Sequence, residues 1–97
     1  MSILHTINTS PFQTHALQQC LSLFSEQDSL LLIEDAVIAV QAKHSLFAQL
    51  QRIDQAGRLM VLTSDLEARG IENKIGKSCS YTDFVDLIVS HNSQMAW

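Results

Sequence analysis

Two wholly apolar runs, Leu30-Leu31-Leu32-Ile33 and Leu59-Met60-Val61-Leu62, stand out from a chain that elsewhere mixes polar and apolar positions. A strand apolar on both faces is what a parallel sheet covered on both sides requires. Ile3 to Ile7, with a polar His5-Thr6 pair inside it, reads as a first strand, and Lys77 to Tyr81 as a last one. Between the strands the apolar spacing turns helical. Leu17, Cys20, Leu21 and Phe24 define one face, opened by Ser10-Pro11-Phe12-Gln13, which has the form of a capping box with proline at the first helical position. Ser25 to Ser29 is a polar turn.

Glu34-Asp35 ends the second strand, and a short apolar segment runs on to Ala42 before a break at Lys43-His44. Ser45 is placed to cap a helix with Leu46, Phe47, Leu50 and Ile53 inward, stopped by Gly57. Ser64-Asp65-Leu66-Glu67 is a second capping-box pattern, opening a helix that Gly70 closes. Thr82-Asp83 caps a final helix with Phe84, Val85, Ile88 and Val89 buried, and Asn92 to Trp97 is a tail. Strand and helix thus alternate about four times. The expectation is one α/β domain over residues 1–97, flavodoxin-like, with a mostly parallel sheet of four or five strands and helices on both faces.

Length agrees, since 97 residues suffice for a single modest core. Charge alters the picture more. Only 16% of residues are charged, against about 25% in an average soluble domain. A surface so short of charge suits a chain partly covered by a partner. The net charge is -4, and the bases Lys43, Arg52, Arg58, Arg69, Lys74 and Lys77 are dispersed. Without a basic stripe, the chain is not expected to bind nucleic acid by itself. No apolar run is long enough for a membrane-spanning helix, and the start lacks the form of a secretory signal. Two cysteines 59 positions apart make neither a disulfide scaffold nor a zinc site, so a reducing cytoplasm is the expected compartment.

Candidate chemistry gathers beyond the carboxyl ends of the strands, where open parallel sheets concentrate function. Asn8-Thr9-Ser10-Pro11 cannot form a dinucleotide fingerprint. Glu34, Asp35 and Asp65 could meet as paired carboxylates or magnesium ligands, although aspartates at such points ordinarily cap helices. His5, His15, His44 and His91 lack metal-ligand spacing and are assigned surface or capping places, with His91 suited to a helix end. Cys20 falls on the buried face of the first helix, more than two turns in, too far for the helix dipole to acidify it. His15 is about 140° round the helix from it and is no obvious base. Core packing is the straightforward reading for Cys20, and for Cys79 beside Lys77. Trp97 and Met95 are residues of the interface-anchor type and point to a docked tail.

Leu4-His5-Thr6 with Ser10-Pro11-Phe12, then Asp65-Leu66-Glu67-Ala68-Arg69-Gly70, Tyr81-Thr82-Asp83-Phe84-Val85-Asp86-Leu87 and the ending Ser93-Gln94-Met95-Ala96-Trp97, resemble the TusB/DsrH family of sulfur-relay subunits. The resemblance spans essentially the whole chain and departs at Asp35-Ala36, where relatives commonly carry Asp-Gly. It implies a cytoplasmic subunit of a dimer of heterotrimers, with TusC/DsrF-like and TusD/DsrE-like partners. It also implies a TusE/DsrC-like acceptor, and no cofactor or metal. Such complexes pass persulfide sulfur towards 2-thiolation of a tRNA wobble uridine or, in the other branch, serve dissimilatory sulfur oxidation. The main carrier cysteine belongs to the TusD/DsrE-like partner. Cys20 matches a first-helix cysteine of DsrH-type members, which makes it the candidate catalytic residue here, as a secondary sulfur carrier. The Gln94-Met95-Ala96-Trp97 ending is closer to the TusB type. A purely structural subunit without sulfur contact is the alternative from another class.

Overall fold

Strands that are apolar on both sides must be covered on both sides, and that demand organises the molecule. The computed structural model describes residues 2–41 and 44–97. Five strands form one sheet: β1 (Ile3–Ile7), β2 (Ser29–Leu32), β3 (Leu59–Leu62), β4 (Lys77–Cys79) and β5 (Ser93–Ala96). Their order is β4-β3-β2-β1-β5, and every pairing is parallel. The helices are α1 (Ala16–Leu23), α2 (Phe47–Gln55), α3 (Thr63–Ala68) and α4 (Tyr81–Ser90), and a 3-10 segment covers Glu34–Val40.

Alternation along the strands divides the core in two. Ile7, Leu30, Leu32, Leu59 and Val61 face one layer with Leu17 and Cys20 of α1, Val37 and Val40 of the 3-10 segment, Leu50 of α2 and Leu66 of α3. Leu4, Leu31, Met60 and Cys79 face the other side, where Phe84 and Leu87 of α4 pack. The reason is connectivity. Each step from β1 to β4 moves one strand along, but α4 must carry the chain from one sheet edge to the other and crosses the free face. The expected α/β class, parallel sheet and two helical layers are present, though the layers are unequal.

Several boundaries differ from the sequence reading. Ser10 does not open α1. Its carbonyl accepts from the Gln13 and Thr14 amides and its hydroxyl from the Phe12 amide, which closes a separate turn before Ala16. Ser45 does not cap α2; the His44 ring takes the Leu46 amide at 3.2 Å instead. The break expected at Lys43-His44 and the end of the apolar segment at Ala42 fall partly outside the described residues. The Ser64-to-Glu67 box does not form, because α3 starts directly from β3 at Thr63. The last helix is capped by Ser80, not Thr82. Its hydroxyl accepts from the Asp83 amide, and the Asp83 carboxylate accepts from the Ser80 amide, each at 3.1 Å. Gly57 and Gly70 stop their helices as expected, with left-handed φ values of 76° and 60°.

Two differences bear on function. The expected buried face of α4 is wrong at three of its four positions: of Phe84, Val85, Ile88 and Val89 only Phe84 turns towards the sheet, joined there by Leu87, while Val85, Ile88 and Val89 lie exposed. One helix on one sheet face buries only one narrow row of its apolar positions. The expected tail is β5, an edge strand beside β1, anchored where the Trp97 amide donates to the Thr6 carbonyl at 2.9 Å.

Candidate functional site

Cys20 sits in α1 with no exposed surface, surrounded by the larger core layer. Burial pushes its thiol up to about 12, and the negative charge of Asp28 adds to the shift. Both influences oppose thiolate, the form that attacks or carries sulfur. The helical periodicity of the sequence located this thiol correctly.

Beneath α1 lies a polar cluster that sequence reasoning missed. His5, expected at a surface or capping place, is buried in the middle of β1. Its Nε2 meets Asp28 Oδ2 at 2.9 Å, and its Nδ1 meets the Trp97 indole Nε1 at 3.1 Å. An indole N–H can only donate, so Nδ1 is the acceptor and the ring proton resides on Nε2, donated to Asp28. Both ring nitrogens are therefore committed, and the one lone pair, on Nδ1, is taken by the indole N–H and not left to deprotonate Cys20. The rings of Phe24 and Trp97 stand 5.4 and 6.1 Å from that of His5. The available signal was parity, since His5 shares a strand face with Ile3 and Ile7.

Asp28, also buried, is the acceptor that holds this corner together. Oδ1 takes the Ile3 amide at 3.0 Å, and Oδ2 takes the Ser25 amide at 3.1 Å besides His5. Burial disfavours its charge, but the hydrogen bonds from His5, the Ser25 and Ile3 amides and the Ser25 hydroxyl outweigh it. They hold the carboxyl below its usual range. A carboxylate so satisfied has little basicity. The arrangement positions rather than reacts.

Cys79, at the end of β4 on the opposite layer, is likewise buried. Burial and the nearby Asp83 push its thiol up, and Lys77 only partly offsets them. The two thiols face opposite sides of the sheet and do not form one site.

At the carboxyl edge of β2 and β3 the acids take structural places. Arg69 donates to Asp35 Oδ1 through Nε and Nη2 at 3.2 and 3.1 Å, and through Nη1 to Asp65 Oδ1 at 3.4 Å. Asp65 Oδ2 accepts the Glu34 amide at 2.7 Å, across a residue whose φ is 51°. Paired with Arg69, Asp35 and Asp65 are not a free carboxylate pair, and no group of three or more His, Cys, Asp or Glu among the described residues is arranged to hold a metal ion. His91 ends α4 with Nδ1 on the Leu87 carbonyl at 2.7 Å and Nε2 on Ser29 Oγ at 2.9 Å.

A groove of about 660 Å³ opens between α1 and α2, with Leu21, Phe24 and Ile53 on its apolar side and Arg52 and Arg58 at its rim. Neither cysteine lines it. No helix among the described residues is long and apolar enough to cross a membrane.

A family described as DsrH like protein matches residues 9–94. Protein TusB of Escherichia coli O81 is 40% identical over 98 residues, covering 98% of this chain and 100% of that protein. Protein TusB of Cronobacter sakazakii is 39% identical over 100 residues, with the same coverage. In three dimensions the chain is similar to the crystal structure of the ychN protein from E. coli, with a TM-score of 0.79 at 17% identity. That match covers 100% of this chain and 99% of the other, and it speaks to the fold.

Proposed function

The chain belongs to the DsrH-like family, and from that premise we propose that it is a subunit of a cytoplasmic sulfur-relay complex. The complex passes persulfide sulfur towards 2-thiolation of a tRNA wobble uridine. TusC-like and TusD-like chains are its partners, and a TusE-like protein receives the sulfur. The observation that carries the reading is the full-length match, near 40% identity, to proteins named TusB. In this reading the main carrier cysteine resides in the TusD-like partner. Cys20 is at most a secondary carrier, since its thiol is buried, raised to about 12 and unserved by His5. The same burial favours a second reading, a subunit that positions its partners without touching sulfur.

Persulfide mass on each subunit separates these readings, measured after loading the assembled complex with a sulfur donor and followed by the rate of transfer to the acceptor. Persulfide is expected on the partner, and Cys20→Ala is expected to leave most transfer intact. Alanine is the cleaner substitution here, because serine would bury an unsatisfied hydroxyl. Stoichiometric persulfide on Cys20, with transfer abolished by Cys20→Ala in an intact complex, would place Cys20 on the main route.

A further inference from the structure

His5, Asp28 and Trp97 tie the end of the chain to its first strand through one imidazole ring. His5 is 1% exposed and Asp28 2%, so ring and carboxylate meet out of water. Nε2–H donates to Asp28 Oδ2 at 2.9 Å, and Nδ1 accepts the Trp97 indole N–H at 3.1 Å. The indole stands 6.1 Å from the His5 ring and packs against the larger core layer. Asp28 is ionised and the ring beside it is neutral, so the corner holds one negative charge. Among the described residues the ion-pair partner of Asp28 is His5.

A proton added to Nδ1 would cancel that charge by turning the ring and the carboxylate into a buried ion pair. It would also turn the only acceptor facing the indole into a donor. Two N–H groups do not stay together in a dry corner, because each is left without an acceptor. Proton and indole therefore compete for a single lone pair. The other titratable groups keep their charge between pH 5 and 8, where imidazoles ordinarily change theirs. Cys20 of α1 stays neutral, with its thiol raised to about 12, and Asp28 stays ionised, below the ordinary carboxylate range. The terminal carboxylate that follows β5 on Trp97 stays negative. On β2 the neighbour paired with His5 is Leu30, and His91 of the opposite layer reaches Ser29. Glu26, Arg52 and Arg58 border the groove that Phe24 lines. We infer that His5 is a proton-operated latch for the end of the chain: protonation at Nδ1 releases the Trp97 indole, and deprotonation seats it again. One proton from solvent adds to the Nδ1 lone pair, the indole hydrogen bond breaks, and no bond between heavy atoms changes. The β1 ladder and the Trp97 amide on the Thr6 carbonyl do not involve the ring, so the backbone of β5 stays in place. The coupling is reciprocal: whatever holds the indole elsewhere makes His5 a stronger base, backed by Asp28.

The chain has one tryptophan, so its fluorescence reports the latch directly. In the full-length chain, acrylamide quenching of Trp97 is expected to rise at least about threefold as pH falls from 8 to 5. The rise should reverse on neutralisation and leave the far-UV circular dichroism unchanged. His5→Phe should make quenching independent of pH, and His91→Gln should keep the wild-type dependence. Should His5→Phe fail to fold, Trp97→Phe supplies the reciprocal measurement. There His5, followed by its ring proton resonances, should bind its proton severalfold more tightly than in the wild-type chain. Quenching in the wild-type chain that does not change with pH would overturn the latch. So would a rise that survives His5→Phe or disappears in His91→Gln, since another group would then be the sensor. A rise accompanied by lost circular dichroism would mean unfolding and would overturn it too, as would unaltered proton binding by His5 in Trp97→Phe.

Discussion

Cys20 and Asp28 show how the same burial acts on two acids with opposite outcomes. The thiol has no hydrogen-bond donors to offset desolvation and rises to about 12, whereas the carboxylate collects four donors and falls below its usual range. Stability follows from the signs. The unfolded Asp28 binds its proton at higher pH than the folded one, so its contribution is present above about pH 4 and is lost as pH falls further. Cys20 behaves conversely: the unfolded thiol ionises first, and stability declines as pH climbs from about 9 towards 12. Chemical denaturation across pH should therefore show losses at both ends, and Asp28→Ala should remove the acid limb. That variant strands the Ile3 and Ser25 amides and His5, at a cost of about 3 kcal/mol. Retention of the acid limb in the variant would assign it to other carboxylates. A thiol-specific reagent at pH 8 should modify neither cysteine in the folded chain and both in denaturant. Rapid native labelling of Cys20 would mean that α1 opens readily.

Among the elements, α4 depends most on its own cap, because one face alone is packed. The Ser80–Asp83 box satisfies two backbone donors at its start. Ser80→Ala should cost about 1 kcal/mol, read as a lowered denaturant midpoint at constant slope. An unchanged midpoint would mean that packing of Phe84 and Leu87 holds the helix without the box. β5 is held differently. It is a four-residue edge strand with exposed side chains, and its firm attachments are the β1 ladder and Trp97 on His5. A tail of mixed polarity such as Asn92 to Ala96 carries no strand period, so only the neighbour supplies the pairing.

For the whole molecule, the charges bear on partners. Arg69 is engaged by Asp35 and Asp65, and Arg58 donates to the Gln27 carbonyl at 3.1 Å. With ten acids against six bases, the phosphate-contact energy available to the isolated chain is small. Filter binding at physiological salt should detect no specific association with tRNA. Sub-micromolar, salt-sensitive binding would show that the bases cluster more effectively than their spread along the chain suggests.

What the order of residues determined by itself was local. Two apolar tetrads marked the central strands, 3.6-residue spacing buried Cys20 and Leu50, and glycines ended helices, since periodicity and left-handed φ are properties of neighbouring residues. Tertiary structure decided the rest. The five-strand order and the choice of β1 as partner for Ser93–Ala96 depend on contacts between residues some ninety positions apart. His5, Asp28 and Trp97 likewise form a site only when β1, the turn before β2 and the chain's last residue meet. The outward half of α4 could not be told from its inward half, because an apolar arc in sequence records the total area to be covered. Which part faces the protein's own sheet, and which part stays exposed, is set by where the crossover lays the helix.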